Sequence, residues 1–246
     1  MNEKARAEKL EELKAQLEFY RDLGVDFLVS PRKPKGPRPE ARAEAPLPLS
    51  YGSSGGQSAA EQGEWERLIR KIMACQACPL FKGRKQAVPG EGNRRARLMF
   101  VGEAPGRDED LQGKPFVGRA GQLLTRIIQA MGFSREEVYI ANVIKCRPPE
   151  NRTPKPDEIK ACSPFLLRQI ELIQPRVIVA LGKVATDFLL QSPKSMSELR
   201  GHFGQFQGIP VMPTFHPSYL VRNEGNKEIK KMVWEDMKKV LELLKS

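Results

Sequence analysis

The stretch RLMFVGEAPGRDEDLQGKPFVGRAGQLL, residues 97–124, decides the fold of this chain. It predicts a buried strand at residues 98–101, a Gly and Pro turn that presents Glu103, an acidic loop, and a helix that opens at residues 118–121. In open α/β sheets the ligand crevice lies outside the carboxyl ends of the strands, where such turns lead into helices. We therefore expect Glu103 to lie in a site, although GEAPG taken alone is equally typical of a surface turn with a solvated glutamate.

The rest of the chain alternates between strand and helix patterns. We expect strands at residues 138–143 and 177–181 and a strand pair within 203–215. We expect helices at residues 119–131, 156–173, 183–190 and 226–244. Alternation at this spacing predicts an α/β protein, a three-layer α/β/α fold with a mostly parallel central sheet.

The beginning of the chain has a different composition. Residues 1–28 carry leucines at helical spacing among alternating charges, which predicts an amphipathic helix whose apolar stripe needs a cover. Residues 29–64 are rich in Pro, Gly, Ala and Ser and predict a disordered linker, because they offer too little apolar surface to offset the entropy of ordering. We expect the main domain to comprise residues 65–246.

The net charge of +11 is unevenly distributed. Residues 1–66 hold 10 Lys or Arg and 12 Asp or Glu, whereas residues 67–246 hold 31 and 18. A basic domain favours a polyanionic partner such as nucleic acid, because neutralising phosphates releases counterions. No apolar run reaches the roughly 18 residues of a membrane span, and the first residues are charged rather than typical of a signal peptide. We expect a cytoplasmic protein that makes no membrane contact.

Three polar residues stand at the ends of predicted strands. Glu103 follows strand 98–101, Asn142 lies near the end of strand 138–143, and His216 follows the last strand. The carboxyl ends of parallel strands share one edge of a sheet. We therefore expect a carboxylate, an amide and an imidazole to converge on one cleft.

The four cysteines form two groups. Cys75 and Cys78 make a C-x2-C pair, and after 67 intervening residues Cys146 and Cys162 follow with 15 residues between them. Such groups converge on zinc or on an iron-sulfur cluster, and the spacing leaves both open. Disulfides are disfavoured in a cytoplasmic protein. The separation in sequence from the predicted cleft indicates that the metal is structural.

The predicted cleft offers no Ser-His-acid set and no reactive cysteine, which indicates chemistry without a covalent protein nucleophile. Glu103 can orient or activate water, and His216 can stabilise an anionic leaving group. Asn142 can read a planar amide edge, and Phe116 can stack on a flat ring. Together with the basic charge, these residues predict base excision from nucleic acid, in which an extruded base is read on its Watson–Crick edge.

Residues 72–244 closely resemble the iron-sulfur uracil-DNA glycosylases of bacteria and archaea, usually called family 4. The matching segments occur in the family's order and are CQACPL, VGEAPGRDEDLQGKPFVGRAGQLL, YIANVIKCRPPENRTP, the later Cys162, VIVALG and TFHPSYLVR. The resemblance implies the uracil-DNA glycosylase fold and an enzyme that flips uracil out of DNA and hydrolyses its N-glycosidic bond to start base excision repair. It is weak over residues 1–64.

The resemblance also implies roles for the residues of the cleft. Glu103 would place the attacking water, and His216 would stabilise the uracil anion as the glycosidic bond breaks. Phe116 would stack on uracil and Asn142 would read its edge, while Gly102 belongs to the same substrate-binding set.

Further implied roles concern selectivity, DNA contact and the metal. Glu109 would crowd C5 of the base and exclude the methyl group of thymine. The loop that contacts phosphate and pushes into the duplex would contain Ser218, Tyr219, Leu220 and Arg222. The ligands of a 4Fe-4S cluster would be Cys75, Cys78, Cys146 and Cys162.

Plainer interpretations stay open beside these. Glu109 is also compatible with a solvated acidic run, Phe116 with an ordinary core residue, and His216 with a capped turn. The alternative functions are a non-catalytic module that binds uracil-containing or damaged DNA, and a DNA-polymerase accessory protein. We expect a monomer whose partner is uracil-containing DNA, with a repair or replication protein as a candidate partner of the N-terminal helix.

Overall fold

The computed structural model describes residues 59–245 of the chain, and their side chains from Gln62 onward. The amphipathic helix predicted at residues 1–28, and the predicted linker as far as residue 58, lie outside the described residues. The first described helix, α1, is Ala59–Ala74. It therefore begins inside the segment that the composition predicts as linker. No helix between residues 59 and 245 is long and apolar enough to span a membrane.

Strands and helices alternate along the described chain, as predicted. The strands are β1 Glu91–Gly92, β2 Leu98–Gly102, β3 Tyr139–Asn142, β4 Val177–Leu181, β5 Gly204–Phe206 and β6 Ile209–Thr214. The α-helices after α1 are α2 Arg107–Gln112, α3 Arg119–Ala130, α4 Pro156–Ile173, α5 Lys183–Leu190, α6 Met196–Leu199, α7 Pro217–Arg222 and α8 Lys227–Lys245.

The six strands form one sheet in the order β1-β3-β2-β4-β6-β5. The four central strands β3, β2, β4 and β6 are parallel, and only the edge strands β1 and β5 pair antiparallel. At least one helix lies in each connection between the parallel strands, as crossover connections usually require. The predicted α/β fold with a mostly parallel sheet is confirmed.

Both faces of the sheet are covered by helices. Along β2, Leu98 and Phe100 point to one face and Met99 and Val101 to the other, because side chains alternate along a strand. The first face packs against α3 and α8, and the second packs against α1, α4 and α5. All residues of β2 are buried, which explains why this strand reads as a continuous apolar run.

Two segments predicted as loops are short helices. The acidic segment forms α2, because Glu109 accepts a hydrogen bond from the amide of Gly106 at its start and Gly113 ends it in a left-handed conformation. The segment after His216 forms α7, with His216 as the N-cap residue and Pro217 in the first turn. Neither helix has the Ser, Thr, Asp or Asn that usually marks a helix start, so the local signal for both is weak.

Candidate active site

The carboxyl ends of the parallel strands meet at one cavity. Gly102 pairs with Asn142 at the end of β2 and β3, and Leu181 pairs with Thr214 at the end of β4 and β6. The cavity at this edge has a volume of about 790 Å³. The sequence-predicted residues that line it are Glu103, Glu109, Phe116, Asn142, His216, Ser218, Tyr219 and Arg222. Its volume is typical of pockets that enclose a small organic ligand.

Gly102 makes room for two of these side chains. A Cβ at this position would lie 2.4 Å from Oδ1 of Asn142 and 2.5 Å from Cζ of Phe116. No real side chain tolerates such contacts without displacing its neighbours. The glycine therefore lets the amide and the aromatic ring approach the end of β2 together.

Asn142 is almost fully buried, yet part of its amide is unpartnered. Only 1% of the residue is exposed, and its Oδ1 has no hydrogen-bond partner within the described residues. Leaving such a buried polar group unsatisfied costs about 1–3 kcal/mol. A buried acceptor in a cavity wall is the arrangement expected where a ligand supplies the missing donor.

Phe116 occupies a backbone conformation that non-glycine residues rarely adopt. Its φ is 53°, in the left-handed region, which costs on the order of 1–3 kcal/mol. Gly121 in α3 packs directly on this backbone, since a Cβ there would lie 1.9 Å from the carbonyl carbon of Phe116. The Phe116 ring lies 5.6 Å from the His216 ring, centroid to centroid, at an interplanar angle of 34°.

His216 is held by the first turn of α7. Its Nδ1 accepts a hydrogen bond from the amide of Ser218 and lies 2.8 Å from the Ser218 hydroxyl oxygen. Desolvation by burial lowers the pKa of His216 to about 4, and the positive charge of Arg222 acts in the same direction. The imidazole is therefore neutral near pH 7.

Glu103 follows β2 and lines the cavity beside Asn142. Its backbone carbonyl accepts a hydrogen bond from the amide of Ile144, which fixes the turn against the segment after β3. Burial raises the pKa of the Glu103 carboxyl above its ordinary value. A partly desolvated carboxyl beside a cavity is typical of a group that acts on water or on a proton.

Both carboxylate oxygens of Glu109 accept hydrogen bonds from backbone amides beside the cavity. Oε1 accepts from the amides of Val117 and Gly118, at 2.8 and 3.0 Å, and Oε2 accepts from the amide of Gly106 at 3.1 Å. The interpretation of Glu109 as a solvated member of an acidic run is therefore wrong. This carboxylate joins the start of α2 to the turn that comes after Phe116.

The segment after His216 is partly accessible. Tyr219 is 38% exposed, and Arg222 lies 3.4 Å from the Ser218 hydroxyl across one turn of α7. Leu220 is only 2% exposed and belongs to the core that includes α3. Its predicted contact with DNA does not fit this position, because one face of α7 must pack on α3 and Leu220 lies on that face.

The four cysteines come together at a second small cavity. Its lining contains all of Cys75, Cys78, Cys146 and Cys162, and none of them forms a disulfide. N–H groups donate to two of the four sulfurs. Arg84 donates to Sγ of Cys146 at 2.9 Å, and the amide of Lys145 donates to Sγ of Cys162 at 3.2 Å.

Two properties of this thiol set bear on the group that it could hold. Burial raises the pKa of Cys162 to about 12, and burial also raises the pKa of Cys146 and Cys78. Thiols this buried become thiolates only when a cation replaces the proton. Between residues 59 and 245, however, no group of three or more His, Cys, Asp or Glu residues is arranged so that it could hold a metal ion.

Several cavity residues have little to mark them in the sequence. They are Asp108, Arg119, Arg152, Gly182 and Lys183. Gly182 directly follows the buried run of β4, so a glycine after a strand was the available signal. The charged residues carry no comparable signal, because charged side chains are common at solvated helix ends.

The domain matches known proteins over most of its length. Residues 89–238 match the family model described as the uracil DNA glycosylase superfamily. The type-4 uracil-DNA glycosylase of Thermotoga maritima is 50% identical over 182 residues, covering 73% of this chain and 94% of the relative. The type-4 uracil-DNA glycosylase of Saccharolobus solfataricus is 49% identical, covering 72% and 84%, and that of Archaeoglobus fulgidus is 42% identical, covering 72% and 91%.

The family-model match extends across the strands and turns that build the cavity, from the segment before β2 into α8. The parallel sheet and the cavity at its carboxyl edge agree with the match. The chain belongs to the uracil DNA glycosylase superfamily.

Proposed function

We propose that this protein is a uracil-DNA glycosylase of the type-4 class, which extrudes uracil from DNA and hydrolyses the bond between N1 of uracil and C1′ of deoxyribose. The observation that carries the proposal is the buried, unpartnered Oδ1 of Asn142 in the cavity wall. The Watson–Crick edge of uracil presents an N3–H donor between two carbonyl acceptors, which an amide side chain can pair with.

Base recognition uses three side chains in this proposal. The Phe116 ring stacks on the extruded base, and Asn142 reads its edge. Glu109 would crowd C5 of the base in this proposal, which would exclude the methyl group of thymine. The two hydrogen bonds from the amides of Val117 and Gly118 would hold its carboxylate in place against that methyl group.

Bond cleavage uses Glu103 and His216. As the C1′–N1 bond breaks, its electron pair passes to uracil, and His216 donates a hydrogen bond to the oxygen where negative charge builds. Glu103 places the water whose oxygen bonds to C1′, and its carboxylate accepts the proton that the water loses as it adds. The ring of His216 suits this role because it is neutral near pH 7 and can donate the hydrogen bond from its N–H without carrying a positive charge.

DNA contact is assigned to the exposed part of α7 and to the basic charge of the domain. Ser218, Tyr219 and Arg222 line the cavity mouth, where a phosphate next to the flipped nucleotide would lie. The excess of Lys and Arg over residues 67–246 supports non-specific attraction to the phosphate backbone. Leu220 is left out of this set because it is buried.

The four cysteines would hold a 4Fe-4S cluster, which ties the end of α1 to α4. The thiol chemistry fits, because four cysteine thiolates are the usual ligands of such a cluster. The N–H donors of Arg84 and Lys145 suit the charge of ligating sulfur. What supports the proposal is that all four cysteines line one cavity, although no set of residues between 59 and 245 is arranged to hold a single metal ion. The cluster's contribution is structural, and no step of the hydrolysis passes through it.

We also propose a cytoplasmic protein that acts as a monomer, because every residue that lines the cavity belongs to one chain and the site needs no second copy. The domain division at residues 65–246, and a repair or replication protein as partner of the N-terminal helix, remain proposals from the sequence.

Release of free uracil from a uracil-containing oligonucleotide by the purified protein tests the function. Matched oligonucleotides with thymine or cytosine at the same position are the controls, and we expect product only from the uracil strand. Tight binding of the uracil strand without base release would instead favour a non-catalytic binding module.

A further inference from the structure

The turn that carries Phe116 is held by a side chain from outside the cavity. Arg135 lies in the connection between α3 and β3, and its guanidinium donates to two successive carbonyls of this turn. Nη1 donates to the carbonyl of Phe116 at 3.1 Å, and Nη2 donates to the carbonyl of Pro115 at 2.8 Å. A planar guanidinium presents its N–H groups in a fixed fork, so the two bonds fix the orientation of the turn.

Arg135 is itself fixed by two further contacts. Its Nη1 donates to Oγ1 of Thr125 on α3 at 3.0 Å, and its Nη2 pairs with Glu91 of β1 at 3.3 Å. Its side chain is only 18% exposed. The guanidinium therefore connects the Phe116 turn to two elements of the scaffold rather than to solvent.

The turn needs such support because Phe116 has a φ of 53°. A strained conformation persists only when the surroundings over-determine it. Here the carbonyls are held by Arg135, and the amides of the next two residues are held by Glu109. The close contact of Gly121 with the Phe116 backbone adds a third restraint.

We propose that Arg135 is a positioning residue for uracil recognition: it holds the backbone of Phe116 so that the ring is preformed for stacking on the extruded base. The inference rests on the proposed function. Arg135 does not line the cavity, so it would act on the base only through the Phe116 turn. Without the Arg135 guanidinium, the carbonyls of Pro115 and Phe116 lose these donors. The turn then relaxes from the left-handed conformation, and the Phe116 ring leaves the stacking position.

A double-mutant cycle between Arg135 and Phe116 tests this. Single-turnover excision and inhibition by free uracil would be measured for Arg135→Met, Phe116→Ala and the double variant. We expect Arg135→Met to slow excision and to weaken uracil inhibition on the order of 10- to 100-fold, because stacking is lost and the base is misplaced. In the Phe116→Ala background the same change should have less than about a twofold effect, because the ring it positions is gone.

Two further variants make the test specific. Arg97→Met is the control, because Arg97 also donates to a backbone carbonyl, that of Leu244, and lies next to the other end of β2, outside the cavity lining. It should leave both measurements unchanged. Arg135→Lys keeps the charge but loses the fork, so we expect it to restore the rate only in part.

Each outcome has a defined meaning. Equal losses from Arg135→Met with and without the Phe116 ring would show a general structural role and overturn the inference, as would full rescue by lysine. If Arg135→Met does not fold, Thr125→Val can replace it, because it removes one support of the guanidinium. The smaller loss of excision rate that we expect from Thr125→Val should vanish in the Phe116→Ala background. A loss of rate that persists in that background overturns the inference. Failure of the wild-type protein to release uracil would refute the proposed function instead.

Discussion

The backbone amide of Ser218 donates a hydrogen bond to Nδ1 of His216 over 3.1 Å. Nδ1 is therefore an acceptor, and the proton of the neutral imidazole is carried by Nε2. With the pKa of His216 lowered to about 4, this tautomer persists through the neutral range. The first turn of α7 thus prepares a neutral N–H donor in the cavity wall.

Loss of this donor should slow the chemical step rather than DNA binding. We expect His216→Ala to reduce single-turnover excision on the order of 100- to 1000-fold, which is typical for removal of one preorganised donor to a developing anion. Affinity for uracil-containing DNA should change only a few-fold, because the ground state carries no such charge. The other histidine of the chain, His202, is exposed and supplies the control. Near wild-type excision by His216→Ala would contradict the assigned role, and His202→Ala should match wild type.

The pH dependence of excision should report Glu103 and not His216. With a pKa of about 4, His216 is neutral between about pH 5 and 8, so its titration should not change the excision rate over that range. The raised pKa of Glu103 should place the acid limb of the profile above pH 4.5, because the carboxylate form is lost as pH falls through that pKa. Single-turnover rates across pH for wild type and Glu103→Gln check this: the variant should be slow at every pH and should lack the limb. A limb that survives in the variant would assign it to another group.

Base selection should depend on the space at Gly102 and on the amide of Asn142. Gly102→Ala would place a Cβ 2.4 Å from Oδ1 of Asn142, so we expect it to displace the amide and to act like Asn142→Ala. Excision should slow on the order of 100-fold or more in both variants. Without the amide of Asn142 the polar edge of uracil is left unpaired, which lowers both the rate and the discrimination between bases. Gly83→Ala is the control, since its added Cβ meets nothing within 4 Å. Wild-type selectivity in Gly102→Ala would show that the cavity accommodates the added methyl group, and it would contradict this prediction.

The purified protein should be brown and contain about four irons per chain, as one cubane cluster requires. Iron and zinc analysis together with the visible spectrum checks this, and stoichiometric zinc without visible absorbance would refute the cluster. Cys146→Ala should reduce the thermal stability more than it reduces the rate of the protein that remains folded, because metal binding of this kind is coupled to folding.

Removal of residues 1–58 should leave excision from short oligonucleotides nearly unchanged. The cavity and the cysteine set lie within the described domain, and residues 1–58 hold 10 Lys or Arg against 9 Asp or Glu, so they add almost no positive charge for phosphate contact. Single-turnover rates of the full chain and of a chain that starts at Ala59 test this. A large loss of rate would show that the extension takes part in the reaction.

The sequence by itself determined the alternation of strands and helices and the ends of the strands. The apolar runs of β2 and β4 and the glycines at their ends are local patterns, and they predicted strands within one residue of those observed. The same logic led to Glu103, Asn142 and His216, because parallel strands end at a common edge and bring the residues at those ends side by side.

Only the tertiary structure decided the surroundings of those residues. The short helices α2 and α7 depend on caps that the usual N-cap signals do not describe, and Leu220 is buried because α7 packs on α3. The bonds from Arg135 to the Phe116 turn join residues of separate elements, and nothing in the local sequence marks them. A hydrogen bond of this kind depends on the distance and angle between two parts of the chain, and those are fixed only when the sheet and its helices pack together.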